Sequence, residues 1–88
     1  MTTDQILCRL QRIVIDLLPV DEDDVQRSSN PVRDFGADSL EMLEICLQLA
    51  DGLSIYIPEE TFKRLKTLED MAAFAKDRLD RVFQKSNL

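Results

Sequence analysis

Leu53-Ser54-Ile55-Tyr56-Ile57 alternates side chains in the manner of a strand, and it has no partner elsewhere in this 88-residue chain. A lone strand leaves its N–H and C=O groups unpaired and is not stable in water. A connector is therefore favoured over a strand, and the stretch reads as extended chain between helices. What remains must be helix and loop, packed around one small core.

Helical spacing is plain in three places. Ile6, Leu7, Leu10, Ile13, Val14, Leu17 and Leu18 make one apolar face, predicting a helix over residues 3–18. Thr2 or Thr3 can cap it, Asp4 suits its first turn, and Pro19 ends it. Asp38 opens a second helix that should run to about Asp51, with Gly52 placed as its stop. There Leu40, Leu43, Leu47 and Ala50 form a stripe, which Met42, Ile45, Cys46 and Leu49 widen almost all the way round. Thr67-Leu68-Glu69-Asp70 has the form of a capping box. Behind it Met71, Phe74, Ala75, Leu79 and Val82 predict a last helix over about 68–83, with a frayed tail from Gln84. Pro58, followed by Glu59 and Glu60, suits the first position of a short helix that turns Phe62 and Leu65 inward.

Residues 19–37 read as a long loop, pinned to the core by Val20, Val25, Val32 and Phe35. Its acidic run Asp21-Glu22-Asp23-Asp24 lacks the spacing and central glycine of a calcium loop and reads as a solvated turn. The expected architecture is all-α: a small four-helix bundle of three main helices and one short one, with a long first loop, in a single domain spanning 1–88.

Charge narrows the function. The net charge is −6, and residues 21–60 hold eleven acids against two bases. Such a surface repels nucleic acid and attracts basic protein surfaces. The chain has no histidine, so the usual general base and the Ser-His and Cys-His arrangements are missing. Cys8 and Cys46 fit neither a redox pair nor a zinc site and are expected as free thiols packed like small apolar groups. The first residues lack the pattern of a secretory signal, and no apolar run is long enough to span a membrane, so the cytoplasm is the expected compartment.

The segment Asp34-Phe35-Gly36-Ala37-Asp38-Ser39-Leu40 is the specific one. Gly36 permits a tight turn, Asp38 caps, and Ser39 falls in the first turn of the helix beside unpaired N–H groups, where a phosphate is favoured. The plainer possibility is that Ser39 is only part of a helix start, with Glu41 and Glu44 as ordinary solvated charges and the broad apolar face as core.

Gly36-Ala37-Asp38-Ser39-Leu40 resembles the attachment motif of acyl carrier proteins. The resemblance extends over roughly residues 4–80: Glu41 and Glu44, the Ile57-Pro58 junction followed by acids, and the capped last helix stand in family order. It implies that Ser39, flanked by Asp38 and Leu40, carries 4′-phosphopantetheine from coenzyme A through a phosphodiester. The arm's thiol then holds acyl groups as thioesters, and the protein itself is not an enzyme. It implies a phosphopantetheinyl transferase and acyl-transferring or acyl-modifying enzymes with basic docking surfaces as partners, met by Glu41 and Glu44 with Met42 and Leu47 as apolar contacts. A monomer without nucleic-acid or membrane partners fits that role. It further implies an acyl shelter between helices, for which Cys46, Leu49, Ile57 and Phe62 are the candidates.

Departures from the family lie away from Ser39. Ala50-Asp51-Gly52 keeps one acid where fatty-acid carriers usually have a run, and Ile55 and Tyr56 stand where polar residues are usual. The pathway stays open between general fatty-acid synthesis and a dedicated polyketide or lipid-modification route. Asp38 before the serine favours an acyl carrier over an aminoacyl or peptidyl carrier, which remains an alternative beside an unmodified helical interaction module.

Overall fold

The three long helices form as their spacing predicts. A computed structural model of the chain describes residues 1–86, with side chains through residue 82. Helix α1 spans Thr3–Leu17. Its cap is Thr2, in a reciprocal box: Gln5 N–H donates to Thr2 Oγ1 at 3.2 Å and Thr2 N–H to Gln5 Oε1 at 2.7 Å. Ile6, Leu7, Leu10, Ile13 and Val14 are buried, one continuous stripe. Cys8 lies about 200° around the helix from Ile6, on the solvent side. It is therefore exposed rather than packed, which corrects the expectation for this thiol; only Cys46 is buried, and both are free.

The long first connection is not a bare loop. It holds a 3₁₀ turn at Glu22–Asp24 and a five-residue helix α2, Pro31–Phe35. Asn30 caps α2, its Oδ1 accepting from Val32 N–H and Arg33 N–H at 3.1 Å each. Gly36 closes α2 in the left-handed region, at φ 70°. Val25 is buried and Val20 and Phe35 half-buried, as pins should be. Val32 is not: on the second turn position of α2 it points outward and is 53% exposed, while Pro31 takes the inner place.

Helix α3 spans Ser39–Leu53, capped by Asp38. It runs through Gly52 instead of stopping there. The reversal falls at Ser54, whose φ is 55°. Ser54 N–H bonds the Asp51 carbonyl at 3.2 Å and Ile55 N–H the Ala50 carbonyl at 3.0 Å, a Schellman closure with serine in the glycine position. Gly52 serves a close approach: a Cβ there would stand 3.0 Å from Arg9 Nη1 of α1.

After the extended connector, with Pro58 as cap, come α4, Glu59–Arg64, and α5, Leu68–Ser86. Thr67 and Asp70 form the expected box at 3.2 and 3.5 Å. Helix α5 continues three residues past the expected end at 83; residues 87 and 88, the rest of the expected frayed tail, lie outside the described residues. The loop before α2 receives the start of α5: Leu68 N–H donates to the Ser29 carbonyl and Glu69 N–H to that of Arg27. Helix α1 packs on both α5 and α3, and α3 also meets α4. Ile6, Leu10, Ile45, Leu49, Phe62 and Leu68 are fully buried at their meeting, each side chain stabilising by about 1.5–3 kcal/mol. The result is an all-helical bundle without strands among the described residues.

Candidate functional site

Ser39 is the first residue of α3 and is exposed. Gly36 turns the chain out of α2, Ala37 is buried as an anchor, and Asp38 begins the helix. Glu41 N–H donates to Asp38 Oδ1 at 2.8 Å, and Asp38 N–H donates to Glu41 Oε1 at 3.0 Å. The helix start is thus fixed on both sides of Ser39, while the Ser39 hydroxyl bonds to no described residue. An exposed, unengaged hydroxyl on a rigid helix start, beside backbone N–H donors, fits a covalently attached phosphodiester.

Beside Ser39 opens a groove of about 460 Å³. Val32, Ala37, Met42 and Leu65 supply its apolar wall, Asn30 and Asp38 polar edges, and Arg33, Lys63 and Lys66 three positive charges. Arg33 pairs with Asp34 at 3.2 Å and Lys63 with Glu59 at 3.0 Å. Lys66 is exposed and pairs with no carboxylate among the described residues. Sequence spacing did not point to the groove, because α2 and the end of α4 meet Ser39 only in three dimensions. The run Lys63-Arg64-Leu65-Lys66 was a visible basic cluster, yet nothing local tied it to the serine.

The sequence-derived contact residues divide. Leu40 is 76% and Leu47 54% exposed, an apolar outer face on α3. Glu44 shares that side and accepts from Gln48 Nε2 at 3.1 Å. Glu41 faces solvent in part while tied to its cap. Met42 is not a surface contact: at 7% exposure it belongs to the core and walls the groove, since its position lies on the same stripe as Ile45, Cys46, Leu49 and Leu53.

Cys46, Leu49, Ile57 and Phe62 are brought together, all in the closed core, and none of them lines the groove. Cys46 Sγ lies 3.8 Å from the Ile57 carbonyl. Burial, and after it the charge of Glu59, pushes the Cys46 thiol above its ordinary value of 9.0, which keeps it neutral. No cluster among the described residues has the makings of a metal site, and no described helix is long and apolar enough to cross a membrane.

Residues 8–75 match the family described as the phosphopantetheine attachment site. The acyl carrier protein of Clostridium perfringens is 35% identical over 66 residues, covering 75% of this chain and 87% of that one. That of Helicobacter hepaticus is 34% identical over 65 residues, covering 74% and 86%. Among solved structures, the acyl carrier protein from Enterococcus faecalis superposes with a TM-score of 0.75 at 23% identity, over 89% of this chain and 99% of that one, which speaks for the fold.

Proposed function

The chain belongs to the acyl carrier family, whose members bear the phosphopantetheine attachment site, and we propose that Ser39 is its point of attachment. One observation supports the assignment most: the Ser39 hydroxyl is exposed and unengaged at the head of a helix that a reciprocal cap holds rigid. The arm supplies the thiol on which an acyl group is carried as a thioester. The residues of the chain do the rest. Asp38 and Glu41 fix the backbone of the turn that presents the hydroxyl, and Leu40, Leu47 and Glu44 form the face that a partner enzyme meets.

Partners then include a phosphopantetheinyl transferase and acyl-handling enzymes with a basic patch beside an apolar one. Charge steers the encounter, and the exposed leucines hold the complex. The proposed role is delivery by a single copy in the cytoplasm, with no chemistry by the chain itself.

A dedicated pathway is favoured over general fatty-acid synthesis by the far end of α3. There Arg9 lies against Gly52 and Tyr56 is 77% exposed, so the one acid, Asp51, shares the surface with a basic and an aromatic side chain. The deciding experiment is the intact mass of the protein after incubation with coenzyme A and a broad-specificity transferase. The wild type gains one phosphopantetheine and Ser39→Ala gains none. A folded wild type that gains none, or an Ser39→Ala variant that still gains one, overturns the assignment.

A further inference from the structure

With Ser39 as the attachment point, as proposed above, we infer that the groove beside it is a seat for the proximal part of the arm, in which Lys66 holds the phosphodiester and Lys63, paired with Glu59, adds to the positive rim. Ser39 itself lines the groove, so a phosphate on its hydroxyl stands at the groove's edge. The cations there come from two other elements: Arg33 from α2, and Lys63 and Lys66 from α4 and the turn after it. Arg33 and Lys63 already have carboxylate partners. Lys66 has none among the described residues and is the cation whose charge is available to an incoming anion.

The apolar wall fits the next portion of the same group. Beyond the phosphate, the pantoyl unit carries two methyl groups on one carbon. Val32 and Leu65, with the edges of Ala37 and Met42 behind them, offer a surface that such a unit covers. An anion followed by a compact apolar unit matches a positive rim followed by an apolar wall. The seat commits the chain to the arm, since an acyl group held as a thioester has no charge for Lys66 and the core behind it, at Cys46 and Leu49, is closed.

The share of the effect on stability that depends on the lysines is diagnostic. The chain is already at −6, so another negative charge, met by the α3 terminus alone, is partly offset by repulsion. A seated phosphodiester instead binds the folded state alone and stabilises it.

The experiment melts the arm-free and arm-bearing forms of the wild type and of Lys63→Gln/Lys66→Gln, each brought to complete loading as judged by intact mass. In the wild type the arm should raise the melting temperature by about 3 °C, and the double variant should lose more than half of that gain. The share that stays belongs to the α3 terminus. Backbone amide spectra of the two forms provide the second readout: the Leu65 and Lys66 signals should move on loading. An equal gain in the double variant, or shifts confined to residues 38–42, overturns the seat. Failure of the wild type to take the arm overturns the Ser39 assignment instead, so the two failures are distinct.

Discussion

Asp38 and Glu41 hold each other's backbone N–H groups, at 2.8 and 3.0 Å, across the residue that the site depends on. One carboxylate of the acidic face therefore has a structural duty besides any part in docking. Glu41→Ala should destabilise by about 1 kcal/mol, as loss of a capping contact does. Glu41→Gln keeps an acceptor oxygen for Asp38 N–H, so its melting temperature should stay close to wild type. If charge at this position steers the transferase, Glu41→Gln should still load more slowly at low salt, with the difference fading as salt is added. Equal melting temperatures for Glu41→Ala and wild type would remove the capping role.

The end of α3 makes a sharper test. Gly52 is helical and Ser54 is the left-handed residue, the reverse of what the two side chains suggest. Gly52→Ala should stabilise by about 0.5–1 kcal/mol, because the Arg9 side chain that its Cβ meets is flexible at the contacting end. Ser54→Gly should also stabilise, by up to about 1 kcal/mol, by relieving the left-handed cost. Thermal melts check both; a destabilised Gly52→Ala would mean that Arg9 cannot move aside.

That inversion shows where the sequence was legible and where it was not. Faces of α1 and α5 could be read because each has one apolar stripe, though on α5 the buried set is Leu68, Met71, Ala72 and Ala75, and Val82, expected on that face, is 46% exposed. Helix α3 has two, and Leu40-Leu43-Leu47 satisfies helical spacing as well as Met42-Ile45-Cys46-Leu49 does. Only packing against α1 and α4 selects the second set as core. Helix α2 is too short for periodicity, although Asn30-Pro31 and Gly36 are its start and stop signals. The serine and its cap were legible because they are contiguous; the cations of the groove were not, because Lys63 and Lys66 reach Ser39 only through the fold.

Acid should loosen the wall of the groove. Asp34 Oδ2 accepts from Asn30 N–H at 2.8 Å, and Arg33 donates to its other oxygen. The backbone bond first, and the Arg33 side chain second, hold the Asp34 carboxyl below its ordinary value of 3.8. A carboxyl lowered on folding contributes its stability fully above that value and loses it as pH falls through the lowered one. The amide signal of Asn30 should therefore titrate with a midpoint below 3.8, and Asp34→Asn should abolish the titration. A midpoint above 3.8 would contradict the bond.

The two thiols should differ in reactivity. Cys8 is exposed, and Cys46 is buried with its thiol held neutral. A small alkylating reagent at mildly alkaline pH should add once to the folded protein, at Cys8, and a second time only on denaturation. Peptide mapping decides it; rapid modification of Cys46 in the folded state would mean that the core opens at α3.

The carbonyls of Arg27 and Ser29 that accept the first N–H groups of α5 join two segments about forty positions apart. Each end completes the other: the connection after α1, pinned elsewhere by Val25, gains partners for two carbonyls, and the Leu68 and Glu69 amides of α5 gain their acceptors. In hydrogen exchange the Leu68 and Glu69 amides should consequently open together with the segment around Ser29, as one cooperative unit that encloses α3 and α4. The helix presenting the serine is thus contained within a closed circuit of chain, and its outer face, with Ser39 and Leu40 exposed, keeps one shape for partners as long as that circuit stays closed.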